Sequence, residues 1–114
     1  MKTDLTYLKS MSGDSFAVMK EMIDIFTEQV VEISEEMSDA LNNKDWLRLS
    51  KLAHKAKSSV AIMGMNDMAL SLKRLELSAG EGKEPEVYSE IVNQFMVECS
   101  DATEELHNYL ASNK

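Results

Sequence analysis

Residues 14–42, DSFAVMKEMIDIFTEQVVEISEEMSDALN, decide the fold class of this chain. Their apolar side chains recur in alternating steps of four and three residues, at Met19, Ile23, Phe26, Val30, Ile33, Met37 and Ala40. This spacing places the apolar side chains on one stripe of an α-helix, as in helices that pack side by side. We therefore predict a long amphipathic helix over about residues 14–42.

Three later segments repeat the spacing. Asn42-Asn43-Lys44 ends the long helix, and Asp45 is predicted to cap a helix with the stripe Trp46, Leu49, Ala53, Ala56, Val60 and Met63. Gly64 ends that helix, and Asn66 or Asp67 is predicted to cap a helix with the stripe Met68, Leu72, Leu75 and Ala79. Gly80 and Gly82 end it, and Pro85 opens a last helix with the stripe Tyr88, Ile91, Phe95, Cys99, Ala102, Leu106 and Tyr109.

A short helix near residues 4–10, capped by Thr3 or Asp4, precedes a break at residues 12–14. With four longer helices on short connections, the pattern predicts an all-α fold, an antiparallel up-down four-helix bundle with a short additional N-terminal helix. Only 4 glycines and 1 proline occur, which disfavours a fold of many strands and turns. The length of 114 residues suits a single domain, residues 1–114.

Composition excludes several classes of function. The net charge is −8, so we expect no binding to nucleic acid. No apolar run approaches the roughly 18 residues of a membrane helix, and the start Met1-Lys2-Thr3-Asp4 lacks the apolar stretch of a signal peptide. We therefore expect no membrane association and a cytoplasmic location. We also expect a monomer. The single cysteine, Cys99, is expected to be a core residue.

A four-helix bundle can hold a di-metal site, which needs Glu-x-x-His motifs on two facing helices. Here the motif occurs once, as Glu104 and His107 near the end of the last helix. One motif does not complete such a site, so we predict no metal site and no resident cofactor.

Charge concentrates on the third helix. From Trp46 to Asn66 there is no Asp or Glu, but Arg48, Lys51, Lys55 and Lys57 give this stretch +4, so the rest of the chain carries −12. A basic helix balanced by acidic neighbours would explain this distribution without a function. His54, however, lies about 130° from the centre of the apolar stripe at 100° per residue, so its ring is predicted to be exposed.

The surroundings of His54 favour a docking site for another protein. Small residues at Ser50, Ser58 and Ala61 would let a partner approach the ring, and Leu47 and Ile62 place apolar side chains near the same surface. Lys51 and Lys55 add positive charge there. Lys57, three residues after His54, is close enough to reach an anion held on the ring.

The hairpin between the third and fourth helices brings one further residue level with His54. With the turn centred near residue 65, His54 is eleven residues before it and Glu76 eleven after it. Glu76 lies about 70° from its own apolar stripe. It is thus placed to accept a hydrogen bond from Nδ1–H of His54, which would leave Nε2 unprotonated and nucleophilic. The alternative is a surface Glu without a defined contact.

At these residues the chain resembles the histidine phosphotransfer (HPt) domain family. Residues 52–64, LAHKAKSSVAIMG, are similar to the family signature of Ala-His, an apolar residue two after the His, Lys three after it, small residues, and Gly ten after it, here Gly64. Residues 72–76, LKRLE, are similar to the family's Leu-x-x-Leu-Glu stretch. Ser58 stands where the family commonly has Gly. The family's four-helix plan covers essentially the whole chain.

The resemblance implies a phosphorelay intermediate without kinase activity of its own. His54 would accept a phosphoryl group from the aspartate of a response-regulator receiver domain and pass it to another receiver, with a hybrid sensor histidine kinase as a further partner. Lys57 would offset charge on the phosphoryl oxygens, and Mg²⁺ would belong to the receiver. A helical adaptor that docks receivers without carrying phosphate is the alternative.

Overall fold

The computed structural model describes residues 3–13 and 15–112, and within these the regular structure is entirely helical. Five α-helices follow one another, α1 (Thr6–Ser12), α2 (Phe16–Asn42), α3 (Trp46–Ile62), α4 (Asn66–Glu81) and α5 (Tyr88–Ser112), with a 3₁₀ turn, Pro85–Val87, before α5. The molecule measures 45 × 20 × 20 Å. The predicted all-α four-helix bundle with a short N-terminal helix is confirmed.

The long helices form a ring in which α2 packs on α3 and α5, and α4 packs on the same two helices. The closest pairing is the α3–α4 hairpin, which is joined by a three-residue connection. The short α1 packs on α2. This arrangement puts α3 and α4 side by side along one edge of the bundle, so residues level across their turn face each other.

The apolar stripes predicted for α2 and α4 are confirmed, because the structure buries every residue of both. Fully buried leucines such as Leu72 and Leu75 each contribute about 2 kcal/mol of hydrophobic free energy. Cys99 is buried in the same core, and burial raises the pKa of its thiol to about 12. The thiol is therefore protonated and inert at neutral pH.

The stripes predicted for α3 and α5 pack against the core, but the set of fully buried residues differs from the prediction at a few positions. Trp46 is only half-buried, and its ring meets the edge of Tyr88 at a centroid distance of 5.0 Å, whereas Leu52 is buried. On α5, Tyr109 is half-buried and Leu110 takes its place in the core. Each helix contacts two neighbours, so the buried arc is wider than one stripe.

Helix boundaries agree with the prediction at α3 and differ at α4. Asp45 caps α3, accepting a hydrogen bond from Arg48 N at 3.2 Å. Asn66 does not cap α4 but is its first residue, with Met65 at the N-cap position and no side-chain cap. Gly80 does not end α4 either, because the helix continues to Glu81 and ends at Gly82, whose backbone is left-handed.

The start of the chain differs slightly from the prediction. The first helix begins at Thr6, and Asp4 accepts hydrogen bonds from its backbone N and its Oγ1, at 3.0 and 2.7 Å. These two hydrogen bonds lower the pKa of Asp4. Thr3 instead donates from Oγ1 to Glu105 of α5 at 2.6 Å. Asp14, at the predicted start of the long helix, lies outside the described residues, and Ser15 caps α2.

Gly64 occupies the turn between α3 and α4 in a position that no other residue fits. Its φ is +72°, and a Cβ added to it would collide with the backbone oxygen of Asp4. Asp4 cannot easily withdraw, because its N–H donates to the carbonyl oxygen of Met63 at 3.0 Å. The glycine of the predicted motif therefore lets the α3–α4 turn pack directly against the backbone at the start of the chain.

We expect Gly64→Ala to destabilise the fold more than Gly82→Ala. Both residues have positive φ, which costs an alanine about 1–2 kcal/mol, but only Gly64 would add a clash, since nothing lies within 4 Å of a Cβ at Gly82. The extra loss should be about 1 kcal/mol or more. Urea unfolding followed by circular dichroism measures both variants, and equal losses would contradict the packing role of Gly64.

Candidate functional site

His54 lies midway along α3 with its side chain 64% exposed. The preceding Ala53 and the following Ala56 face the core and are completely buried. Their small side chains let α3 pack closely against its neighbours while the ring points out of the bundle. The imidazole is therefore accessible along the side of the molecule, far from either end.

The structure places the Glu76 carboxylate beside the His54 ring. The distance from His54 Nδ1 to Glu76 Oε2 is 3.0 Å, and the Glu76 side chain is only 25% exposed. A carboxylate can only accept, so the tautomer that satisfies this contact has its proton on Nδ1. Nε2 then keeps its lone pair on the side of the ring away from Glu76.

Lys57 also binds Glu76, a contact that the sequence reasoning missed. Its Nζ donates to Oε1 at 3.1 Å, so each carboxylate oxygen has one partner. The Lys57 hydrogen bond lowers the pKa of the Glu76 carboxyl below its ordinary value of 4.5, partial burial opposes this shift, and the His54 hydrogen bond adds to it. Glu76 is therefore ionised at neutral pH. The one feature of the sequence that could have indicated this contact is that Lys57 lies one helical turn from His54 on the same face of α3.

Ser50 differs from the other small residues predicted for docking. It is half-buried, and its Oγ donates to the backbone carbonyl oxygen of Glu76 at 2.7 Å. Its hydroxyl therefore faces α4 rather than a partner. The residues that remain on the outer surface of α3 are all exposed: Leu47, Lys51, Lys55, Ser58 and Ala61.

The surface continues from Ile62 onto α2. Ile62 is half-buried and lines an apolar groove of about 200 Å³ with Met22, Ile25 and Phe26. The sequence reasoning did not include the α2 residues, although Met22 and Ile25 are apolar positions beside the α2 stripe. Arg48, in contrast, does not contribute to the outer surface, because its guanidinium pairs with Asp39 of α2 at 2.6 Å.

His107 is the second imidazole and has different surroundings. Its Nε2 lies 4.0 Å from Asp24 of α2. Among residues 3–13 and 15–112, no group of three or more His, Cys, Asp or Glu side chains is arranged to hold a metal ion. In the same part of the chain, no helix has the length and apolarity needed to cross a membrane.

The fold and the site together define a helical bundle that presents one histidine on an open face, with an acidic residue behind its ring. The model of the Hpt domain family matches residues 21–111, so the chain belongs to that family. Neither the curated proteins nor the solved structures contain a match. Hpt domains have a phosphotransfer role in two-component phosphorelays, where they work with receiver domains as phosphocarrier modules and not as kinases.

The ion pair of Glu76 predicts a pH-dependent contribution to stability. Because the folded state lowers the Glu76 pKa, the contribution is complete above about pH 4.5 and is lost as the pH falls through the folded value. At pH 7 we expect Glu76→Gln to unfold with about 0.5–1 kcal/mol less free energy than the wild type. At pH 3 this difference should be smaller, because the lower pH favours protonation of the carboxylate.

Urea unfolding at the two pH values measures the difference. The matched control is Glu28→Gln, which removes an exposed carboxylate from α2. A Glu76→Gln difference of the same size at pH 3 and pH 7 would contradict the interpretation that the ionised carboxylate stabilises the fold.

Proposed function

We propose that this protein is a phosphorelay intermediate in which His54 accepts a phosphoryl group from a receiver-domain aspartate and passes it to the aspartate of another receiver. The observation that carries the proposal is the contact of 3.0 Å between His54 Nδ1 and Glu76 Oε2 on a ring that is 64% exposed. It leaves Nε2 as a free nucleophile at an open surface.

The transfer needs little chemistry from the carrier itself. The lone pair of His54 Nε2 forms the new N–P bond, while the P–O bond to the receiver aspartate breaks and that carboxylate leaves with the electron pair. Nδ1 keeps its proton, and the positive charge that develops on the ring lies beside the Glu76 carboxylate. The second transfer is the reverse reaction with a different aspartate. Catalysis is then mainly positioning and electrostatic stabilisation.

Lys57 has two roles in this proposal. Its hydrogen bond to Oε1 holds the Glu76 carboxylate in place, and its ammonium lies one helical turn from His54, where it offsets the charge of the phosphoryl oxygens. The side chain is 29% exposed, so Lys57 is not enclosed by the fold.

Receiver domains are proposed to dock over the outer surface of α3 around His54. Leu47 and Ile62 provide apolar contact on either side of the ring, and Ser58 and Ala61 leave room for a partner backbone. The exposed cations on this surface are Lys51 and Lys55. A receiver of a hybrid sensor histidine kinase is the proposed phosphoryl donor, and Mg²⁺ is supplied by the receiver. The carrier is proposed to act as a monomer, because each chain presents a complete site.

Transfer from a phosphorylated receiver should label the wild-type protein in an acid-labile, base-stable form, as expected of phosphohistidine. His54→Gln should abolish the label without changing the helical circular dichroism spectrum, since the side chain lies outside the core. His107→Gln is the matched control and should label normally. Receiver binding without any label on the wild type would support the adaptor alternative instead.

Lys57→Ala should slow phosphoryl transfer by about tenfold or more, because the charge is lost from beside both the phosphoryl group and Glu76. The same change should cost about 1 kcal/mol of stability or less, since the ion pair is near the surface. Rapid-quench transfer kinetics and urea unfolding measure the two effects. Lys20→Ala, which breaks an exposed ion pair on α2, is the control, and equal rates for the two variants would remove Lys57 from the mechanism.

A further inference from the structure

Glu76 is held at three points by one face of α3. Ser50 Oγ donates to its backbone oxygen at 2.7 Å, while His54 and Lys57 bind its two carboxylate oxygens at 3.0 and 3.1 Å. Ser50, His54 and Lys57 are four and three residues apart, so they lie above one another on the helix. The contact from Ser50 differs from the other two because it holds the backbone of Glu76 and not its side chain.

Ser50 Oγ approaches α4 closely at Gly80, where there is no side chain. Gly80 lies one turn after Glu76 inside α4, and a Cβ added there would be 3.2 Å from Ser50 Oγ and 3.9 Å from Ser50 Cβ. The first distance is shorter than most van der Waals contacts of a Cβ, so Ser50 Oγ would have to shift by a few tenths of an ångström, which would weaken its hydrogen bond to Glu76. Glycine is a poor helix former in this position, and the close approach of Ser50 gives a reason for it.

We propose that Ser50 and Gly80 are positioning residues, which fix the register of α4 against α3 and thereby hold the Glu76 carboxylate at His54 Nδ1. Apolar packing between the two helices is non-directional, so it defines their register less sharply than a hydrogen bond to the backbone does. A slide by one residue, about 1.5 Å, would lengthen and misalign the contact between the carboxylate and the ring. Any effect of these two residues on phosphoryl transfer rests on the proposed function, but their effect on the register of α4 does not.

The test reads the tautomer of the His54 ring in the full chain from its ¹⁵N chemical shifts at pH 8. The wild type should have its proton mainly on Nδ1, and Glu76→Ala sets the value for a ring without its acceptor. Ser50→Ala and Gly80→Ala should each lower the ratio of the Nδ1–H to the Nε2–H form by about threefold. Ser71→Ala, a change of a half-buried serine on α4, is the matched control and should leave the ratio at the wild-type value.

Gly80→Ala separates positioning from simple stabilisation. Alanine favours the helix, so the urea midpoint should be unchanged or higher while the tautomer ratio falls. If Ala at this position acts by displacing the Ser50 hydroxyl, adding Gly80→Ala to Ser50→Ala should change the ratio no further. If Gly80 has a purely structural role, Gly80→Ala would lower the stability and the ratio together, which would overturn its assignment as a positioning residue.

The inference is overturned if the His54 shifts of Ser50→Ala and Gly80→Ala match those of the wild type, or if Glu76→Ala leaves them unmoved. It is equally overturned if the two changes add independently in the double variant. None of these readings requires phosphoryl transfer. If the wild type accepts no phosphoryl label from any receiver, this result would count against the proposed function alone. The ¹⁵N shifts of His54 would still test the proposed role of Ser50 and Gly80.

Discussion

The Glu76 carboxylate is the point at which the fold and the site depend on each other. Its two oxygens bind an imidazole and an ammonium on α3, while its own backbone belongs to α4. The orientation of the His54 ring is thus set by a different helix from the one that carries it. A change in how α3 and α4 pack is transmitted to the ring through this one side chain. The hairpin connection and the core beneath it therefore affect the orientation of the ring.

The distribution of charge gives the molecule two unlike sides. Lys51 and Lys55 remain exposed on the outer surface of α3, whereas Arg48 is paired with Asp39 of α2. The remainder of the chain is strongly acidic, with −12 outside the basic stretch. A negatively charged partner is consequently attracted to the face that holds His54 and repelled elsewhere, which orients the encounter before contact and makes its rate sensitive to salt.

Sequence periodicity is sufficient to predict the helices, because the apolar stripe of each helix must be buried. It is also sufficient to predict the exposure of His54, because the angle of this residue on α3 follows from its residue number. The equal spacing about the turn also placed Glu76 level with the ring. Periodicity does not predict the contact of a side chain that can reach two different partners. It does not tell whether Lys57 faces an incoming anion or Glu76, because its long side chain can reach both. The sequence alone predicts a helix stop at Gly80, and only the packed hairpin shows that Ser50 approaches this glycine.

The position of a single imidazole on one side of a bundle 45 Å long has a kinetic consequence for the proposed carrier. Donor and acceptor proteins need the same nitrogen and cover the same surface, so they cannot be bound together. Each cycle then follows a ping-pong order in which the first partner leaves before the second arrives. An interface that held either partner tightly would make dissociation rate-limiting, and an excess of unphosphorylated donor would inhibit the relay by occupying the carrier.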